Sequence, residues 1–184
     1  MRVIAGHFKG RRLKAPTWEG VRPTSDKLRE TLFNILAPRV AGARVLDGYA
    51  GTGAVGIEAL SRGAAHVAFV ERDARAVSLI QSNLAACGVE QGYTIHRGDV
   101  ASVLRQLPAD ATFDLMLLDP PYQDAVTPAL DAAADRLGVD GVIVLERATR
   151  REPEVPPRLT RLRDVASGDS TLTVFRRAGL HGPP

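Results

Sequence analysis

Short apolar runs bounded by turn residues recur along the chain, and they predict the strands of a sheet. The predicted strands are 44–47, 66–71, 93–97 and 113–118. Stretches rich in alanine and leucine predict helices over 54–61, 74–87 and 125–134. Strands that alternate with helices in this way favour an α/β fold with a doubly wound, mostly parallel sheet.

Both ends of the chain carry weaker patterns. Leu28, Leu32 and Ile35 stand at i, i+4 and i+7, which predicts a helix that packs on the sheet through this face. Apolar residues in 159–165 and 172–175 predict a terminal hairpin that adds antiparallel strands to the sheet edge. The expected parts of the chain are a basic N-terminal β-hairpin extension over 1–20, one α/β domain over 21–178, and a flexible tail over 179–184.

The tetrapeptide Asp119-Pro120-Pro121-Tyr122 follows the fourth predicted strand directly. Each proline fixes its own φ, lacks an N–H and pushes the preceding residue towards an extended shape, so the backbone there is stiff. The Asp119 carboxylate and the Pro120 carbonyl can accept hydrogen bonds from an exocyclic amino group, while Tyr122 can stack on the ring that carries it. This arrangement suits chemistry on the amino group of a planar heterocycle or an amide. The simpler alternative is a tight turn after a core strand.

A glycine-rich turn follows the first predicted strand. Gly51, Gly53 and Gly56 satisfy G-x-G-x-x-G, and Glu71 follows Gly51 by twenty positions, which taken literally is a dinucleotide fingerprint. Asp47, at the strand end, favours a different ligand, because a carboxylate repels a pyrophosphate but can receive an ammonium group. S-adenosylmethionine carries an ammonium group and no phosphate. A chain of 184 residues also leaves little room for the substrate domain of a dehydrogenase.

The predicted topology joins the two motifs. Ligands of open α/β sheets bind at the carboxyl ends of strands, near the point where the strand order reverses. The first and fourth strands should be neighbours there, so the glycine turn and the Asp119 turn should face each other across one crevice. We expect S-adenosylmethionine in it, with Glu71 holding the ribose hydroxyls and Asp99 reaching the adenine amino group. The candidate cofactor-binding residues are Asp47, Ala50, Gly51, Thr52, Gly53, Glu71, Arg72, Asp99, Val100 and Asp119.

Positive charge is concentrated at the N-terminus. Residues 1–14 contain five basic residues and no acid, whereas the whole chain has a formal net charge of +3. A basic hairpin beside a cleft is typical of an arm that contacts phosphates, although a solvated basic end explains the same charges. If the arm binds RNA, deleting residues 1–14 should weaken RNA binding and spare cofactor binding. The candidate RNA-binding residues are Arg2, Lys9, Arg11, Arg12, Lys14 and Arg22.

Composition narrows the class of protein further. The single cysteine, Cys87, excludes an internal disulfide and favours a reducing cytosol, so we expect a cytoplasmic protein. The four histidines show no metal-ligand spacing, and we expect no metal. No apolar run is long enough to span a membrane, and no signal peptide is visible, so no membrane partner is expected.

The motifs and their order resemble a known family, the bacterial 16S rRNA guanine-N2 methyltransferases of the RsmD type. The resemblance covers nearly the whole chain and is most specific over 22–34; segments 2–6, 9–13, 56–64 and 168–170 are also similar. It implies a class I S-adenosylmethionine-dependent methyltransferase fold. Gly48 departs from the family, which usually has an apolar residue there, so we expect a loop that is looser or closer to the ligand. Ser167 replaces a frequent aromatic residue.

The resemblance also implies a reaction and a partner. One methyl group would pass to N2 of one guanine in 16S rRNA, leaving S-adenosylhomocysteine, and the substrate would be an assembled or partly assembled 30S subunit. Asp119 and Pro120 would be catalytic by aiming the N2 lone pair at the methyl group, with Asp119 stabilising the positive charge that develops. Tyr122, the third candidate catalytic residue, would stack on an extruded base.

The residues alone leave three other interpretations open. The Asp119 turn also suits methylation of adenine N6 in nucleic acid or of a protein glutamine. A non-catalytic RNA-binding assembly factor could keep the same fold. The glycine turn taken alone is compatible with a nucleotide-dependent oxidoreductase. Analysis of the methylated product separates the first of these, and cofactor-binding assays separate the other two.

Overall fold

The computed structural model describes residues 1–18 and 25–179. Within them, one sheet contains seven strands: β1 (Arg44–Gly48), β2 (His66–Glu71), β3 (Tyr93–Arg97), β4 (Phe113–Leu118), β5 (Leu137–Ala148), β6 (Leu159–Ser167) and β7 (Ser170–Arg177). The helices are α1 (Asp26–Val40), α2 (Ala54–Ser61), α3 (Ala74–Cys87), α4 (Val100–Gln106) and α5 (Thr127–Arg136). Arg22 and all but the first residue of the predicted tail lie outside the described residues.

The strand order in the sheet is β3-β2-β1-β4-β5-β7-β6. Strands β1 to β5 pair in parallel, and β7 pairs antiparallel with both β5 and β6. This order confirms the doubly wound α/β class, the antiparallel terminal hairpin and the neighbouring positions of the first and fourth strands. Helix α4 and strand β5 were not predicted from the sequence.

Two hydrophobic cores lie on the two faces of the sheet. Successive residues of β4 alternate between them: Leu115 and Leu117 pack with α1, α2 and α3, whereas Met116 and Leu118 pack with α4 and α5. Because both faces are covered by helices, the central parallel strands are continuous apolar runs. No helix of the described residues is long and apolar enough to cross a membrane.

Helix α1 leads the chain from the N-terminal segment onto the sheet. Its N-cap is Ser25, whose hydroxyl oxygen accepts a hydrogen bond from the Leu28 N–H at 3.2 Å. Its buried face includes Leu28, Leu32 and Leu36, while Ile35 is only partly buried. The predicted helix is therefore confirmed, but its core face runs at i+4 spacing and Ile35 lies at its border.

The N-terminal segment folds back on itself. A single isolated antiparallel bridge joins Arg2 and Arg12, so the predicted hairpin is a short turn rather than a pair of regular strands. Val3 and Leu13 are buried in the core on the α1–α3 side of the sheet. The basic residues between and beside them remain exposed. We call residues 1–14 the N-terminal turn.

A buried carboxylate holds the N-terminal turn against α2. Glu58 is fully buried, and its two oxygens accept hydrogen bonds from the backbone N–H groups of Ile4 at 2.7 Å and Ala5 at 3.0 Å. Arg62, one helical turn further on, donates to the same carboxylate at 2.7 Å. A buried charge needs such partners, so the N-terminal turn is an integral part of the fold.

Candidate active site

A cavity of about 320 Å³ opens where β1, β2, β4 and β5 reach their carboxyl ends. This sheet-edge cavity lies in the size range of ligand pockets, about 300–1,000 Å³. It is lined by Ser25, Leu28, Asp47, Tyr49, Ala50, Gly51, Thr52, Ala54, Val55, Glu71, Asp119, Pro120, Pro121, Tyr122, Glu146 and Ser170. The crevice between the glycine turn and the Asp119 turn, which the sequence predicts, is therefore present.

The glycine turn bends sharply between β1 and α2. Gly51 and Gly53 have φ values of +55° and +76°, in the left-handed region that favours glycine. Gly56 lies so close to the sheet that a Cβ there would sit 2.3 Å from Phe69 Cε1 and 2.9 Å from Asp47 Oδ2. The glycines thus allow the sharp bend and the close packing of α2 on the sheet.

Gly48 ends β1 and is buried. A Cβ on Gly48 would lie 2.6 Å from Leu118 Cδ2, so the side chain of Leu118 occupies the space left by the missing one. The expectation that the loop is looser or closer to the ligand stays a prediction. Tyr49 follows with a φ of +62° and lines the cavity, although the sequence did not single it out. The pKa of Tyr49 is raised to about 12, chiefly by burial and in smaller part by the nearby Asp99 and Asp124, while Arg72 opposes the rise.

Asp47 contributes a buried carboxyl group to the cavity. Its Oδ2 accepts a hydrogen bond from the Gly56 N–H at 2.8 Å. Burial raises the pKa of Asp47 to about 8; the Gly56 hydrogen bond opposes this rise, while Asp119 and Glu71 add to it. A cation beside Asp47 would favour the ionised form, so this group suits a positively charged ligand.

Glu71 fastens the glycine turn to the end of β2. Its Oε2 accepts a hydrogen bond from the Gly51 N–H at 2.8 Å, and its Oε1 accepts one from the Asp73 N–H at 2.8 Å. A carboxylate oxygen can accept more than one hydrogen bond, so these contacts are compatible with a further bond to a ligand hydroxyl. The position therefore fits the predicted contact with ribose.

Six of the ten predicted cofactor-binding residues line the sheet-edge cavity, and Gly53, Arg72, Asp99 and Val100 do not. Asp99 caps α4, where its Oδ1 accepts a hydrogen bond from the Ser102 N–H at 3.0 Å. Arg72 forms an ion pair with Asp124 at 3.4 Å, and Val100 is buried. The roles of these four residues stay predictions.

The Asp119 turn forms the opposite wall of the cavity. The Asp119 N–H donates to the Gly48 carbonyl at 3.3 Å, which continues the pairing of β4 with β1 beyond the end of β4. Asp119 therefore lies beside the glycine turn. Pro120 and Tyr122 line the same cavity, and Tyr122 is 41% exposed, so much of the side chain is accessible.

Sequence reasoning missed two polar residues of this wall, Glu146 and Ser170. Glu146 lies near the end of β5, and Ser170 begins β7. A usable signal existed for Glu146, since it follows the apolar run 142–145 just as Asp119 follows the run 115–118. Ser170 comes from a distant turn, and only the folded chain brings it to the cavity.

The charged side chains found in the cavity lining are acidic. The lining includes four acidic side chains and, among the described residues, no lysine, arginine or histidine. The four acids are Asp47, Glu71, Asp119 and Glu146. Such a site attracts a cation and repels a pyrophosphate. These acidic side chains therefore fit a cationic ligand such as S-adenosylmethionine better than a dinucleotide. No group of three or more residues that could hold a metal ion occurs in the parts of the chain that the structure describes.

The five predicted RNA-binding residues that the structure describes lie on the N-terminal turn, outside the described lining of the cavity. All five are exposed, and they are Arg2, Lys9, Arg11, Arg12 and Lys14. Arg22, the sixth, falls between the two described ranges. A second group of arginines near β5 and β6 is occupied within the protein: Arg147 is buried against Asp164 at 3.0 Å, and Arg158 and Arg161 form ion pairs.

Known proteins resemble the chain in sequence and in fold. A family profile described as "Conserved hypothetical protein 95" matches residues 1–176. "Putative rRNA methyltransferase YlbH" of Bacillus subtilis is 38% identical over 184 residues, covering 97% of this chain and 100% of that protein. "Ribosomal RNA small subunit methyltransferase D" of Escherichia coli is 30% identical over 181 residues, covering 96% and 90%. The solved structure of "Putative methyltransferase yhhF from Escherichia coli" matches with a TM-score of 0.83 at 32% identity, covering 96% and 97%.

Proposed function

This chain belongs to the conserved hypothetical protein 95 family, and on that premise we propose that it transfers a methyl group from S-adenosylmethionine to N2 of a guanine in 16S rRNA. Relatives named as rRNA methyltransferases, one of them of the small ribosomal subunit, support rRNA methylation. The observation that carries the proposal is the single cavity that joins the glycine turn to the Asp119 turn.

The acidic lining supports the choice of cofactor. S-adenosylmethionine supplies a methyl group on a sulfonium, which is already an excellent leaving group. Asp47 and Glu71 sit on the glycine side of the cavity, where Asp47 would face the ammonium group and Glu71 the ribose hydroxyls. The product S-adenosylhomocysteine lacks the sulfonium charge, so this acidic cavity would hold it less strongly than the cofactor.

The Asp119 turn supports transfer to an amino group. The N2 lone pair of guanine is delocalised into the ring, so the protein must hold N2 in line and at close range. The Asp119 carboxylate and the Pro120 carbonyl accept hydrogen bonds from the two N2–H groups and direct the N2 lone pair towards the methyl carbon. With S-adenosylmethionine bound, the N–C bond would form as the S–C bond broke, and the electron pair of the S–C bond would remain on sulfur. Asp119 stabilises the positive charge on N2, and water then takes the N2 proton.

Tyr122 and the N-terminal turn support an RNA substrate. Tyr122 would stack on an extruded base, and such stacking contributes roughly 1–3 kcal/mol per base. The exposed positive charge of the N-terminal turn would contact rRNA phosphates. An assembled or partly assembled 30S subunit would present the target, and the enzyme would then act in the cytoplasm.

The experiment incubates the protein with S-adenosylmethionine labelled in its methyl group and with undermethylated small subunits, and then digests the RNA to nucleosides. Label in N2-methylguanosine supports the proposal. Label in N6-methyladenosine or in protein would keep the cavity chemistry and overturn the substrate. Failure to bind S-adenosylmethionine at all would favour the assembly-factor alternative.

A further inference from the structure

Glu146 stands beside Asp119 at the edge of the sheet. The register of β4 with β5 pairs Leu118 with Leu145. Asp119 and Glu146 each come directly after one of these paired residues. Adjacent strands lie about 4.8 Å apart, so the two acids are neighbours across one strand spacing. Both line the sheet-edge cavity. If the amino group of a base reaches Asp119, the ring atom next to that amino group therefore faces Glu146.

A hydrogen-bond chain fixes the orientation of Glu146. The Ser170 hydroxyl donates to Glu146 Oε1 at 3.2 Å, and the Tyr122 hydroxyl lies 3.2 Å from the same Ser170 oxygen. Because Ser170 has one hydroxyl proton and gives it to Glu146, Tyr122 must be the donor in the second bond. The chain runs from Tyr122 through Ser170 to Glu146 and holds the stacking ring and the carboxylate in one arrangement.

The edge of the base next to the amino group distinguishes guanine from adenine. In guanine, the N1–H lies beside the N2 amino group, so two neighbouring positions donate hydrogen bonds. In adenine, the position beside the N6 amino group is N1, which is an acceptor. A carboxylate accepts from guanine N1–H but opposes the lone pair of adenine N1. Two adjacent acids match the two donors of guanine.

We propose that Glu146 accepts a hydrogen bond from N1–H of the target guanine and thereby selects guanine over adenine, an inference that rests on the function proposed above. Ser170 is a positioning residue in this account, because it acts on the base only through Glu146 and Tyr122. The Asp119 turn by itself suits methylation of several kinds of amino group. The pairing of Asp119 with Glu146 would restrict the substrate of this enzyme to guanine.

The test compares two substrates that share the N2 amino group and differ at N1 and at C6, where 2-aminopurine lacks the carbonyl of guanine. Once the methylated nucleotide is mapped, small-subunit rRNA is ligated with either guanine or 2-aminopurine at that position and reconstituted into particles. The base 2-aminopurine keeps N2 but has an acceptor at N1. Wild-type protein is expected to prefer guanine in kcat/KM by about 10- to 100-fold.

Glu146→Gln is the informative variant, since its amide keeps the shape and can still accept from Ser170 while it offers a donor to an N1 acceptor. It is expected to lower kcat/KM for guanine about 10- to 100-fold and to narrow the preference over 2-aminopurine by a similar factor. Because the change removes one of the four acidic charges of the cavity, S-adenosylmethionine is kept saturating for every variant, with its occupancy confirmed by equilibrium dialysis. Glu154→Gln, an exposed acid outside the sheet-edge cavity, is the matched control and should leave the preference intact.

Two results would overturn the inference: an unchanged rate for Glu146→Gln on guanine, or equal losses on both substrates. If Glu146→Gln fails to fold, Ser170→Ala takes its place and should reduce the preference for guanine; an unchanged preference contradicts the account. The wild-type product separates this test from the parent proposal. N2-methylguanosine made at equal rates by the wild type and Glu146→Gln refutes only the role of Glu146, whereas its absence from the wild-type reaction refutes the proposed function itself.

Discussion

Asn83 on α3 donates a side-chain hydrogen bond to the Thr52 carbonyl of the glycine turn at 2.9 Å. The same amide group pairs with Lys14, accepting from its N–H at 2.8 Å and donating to its carbonyl at 3.2 Å. Asn83 is fully buried. One side chain therefore ties the end of the basic N-terminal turn to the loop that lines the cofactor side of the cavity.

Asn83→Ala should loosen the glycine turn without touching the cofactor. The change leaves the buried carbonyl of Thr52 without this partner, at a cost of about 1–3 kcal/mol for an unsatisfied buried group, and it also removes the two hydrogen bonds to the backbone of the exposed Lys14. Equilibrium dialysis should show weaker S-adenosylmethionine binding, and thermal unfolding should show a lower midpoint. Ser82→Ala removes only an exposed hydrogen bond to the Lys14 ammonium and is the control. Wild-type cofactor affinity in Asn83→Ala would contradict the coupling.

Replacing Lys9, Arg11 and Arg12 together by glutamine should weaken rRNA binding and spare S-adenosylmethionine binding. All three are exposed on the N-terminal turn. Each lost phosphate contact should reduce the slope of log affinity against log salt by about 0.7–0.9. Filter binding over a salt series measures this, with Arg105→Gln, an exposed charge on α4, as the control. An unchanged slope would exclude these residues from the RNA contact.

Deleting residues 1–14 is a less specific test than the sequence suggests. The deletion removes Val3 and Leu13 from the core and takes backbone donors from the buried Glu58. We therefore expect the truncated protein to lose stability, and cofactor binding with it. The sequence-based expectation that this deletion spares cofactor binding is at odds with the buried contacts of the turn, and the charge variants separate the two effects.

The apo protein should become less stable as pH rises from 4 towards 8. Burial raises the pKa of Asp47 from its ordinary 3.8 to about 8. The folded state therefore binds more protons than the unfolded state in this window, so the free energy of unfolding contributed by Asp47 falls with pH and levels off above about 8. A cationic cofactor favours ionised Asp47, so S-adenosylmethionine affinity should rise over the same window. Asp47→Asn should abolish both trends in a pH series of unfolding and calorimetry; trends that persist would exclude Asp47.

Gly56→Ala should damage the cofactor site by steric overlap. The added Cβ would lie 2.3 Å from Phe69 Cε1, so α2 must shift away from the sheet. Overpacking of this kind costs typically about 1–3 kcal/mol, and it should lower both the unfolding midpoint and cofactor affinity. Gly98→Ala meets only a Val103 methyl at 3.0 Å and should cost less. Equal, small effects of the two changes would argue against close packing at Gly56.

The sequence predicts the parallel half of the sheet well because buried strands are uniformly apolar runs. Predicted strands 44–47, 66–71, 93–97 and 113–118 agree with β1 to β4 within one residue. Strand β5 escaped prediction because glycines interrupt its first half. A Cβ on Gly141 would lie 3.0 Å from the Phe113 carbonyl oxygen, so close packing against β4 demands glycine there. Glycine in the sequence thus suggests a loop, whereas in the structure Gly141 allows β5 to approach the backbone of β4 closely.

The residues around the cavity also fall into those that a local sequence pattern predicts and those that it does not. Asp47, Glu71 and Asp119 could be predicted because each ends an apolar strand, and the topology brings such ends together. Ser170 and Asn83 could not, because their positions depend on how the terminal hairpin and α3 pack, which no local pattern encodes. Side chains that support the cavity from distant segments are therefore visible only in the structure.

The most direct test of the central claim is a single-turnover assay of Asp119→Ala with saturating labelled S-adenosylmethionine, with cofactor occupancy confirmed by equilibrium dialysis and the product analysed as nucleosides. The account predicts N2-methylguanosine from the wild type and a rate at least about 100-fold lower from Asp119→Ala, with the cofactor still bound. A near wild-type rate in Asp119→Ala would contradict the claim that methyl transfer occurs at the Asp119 turn.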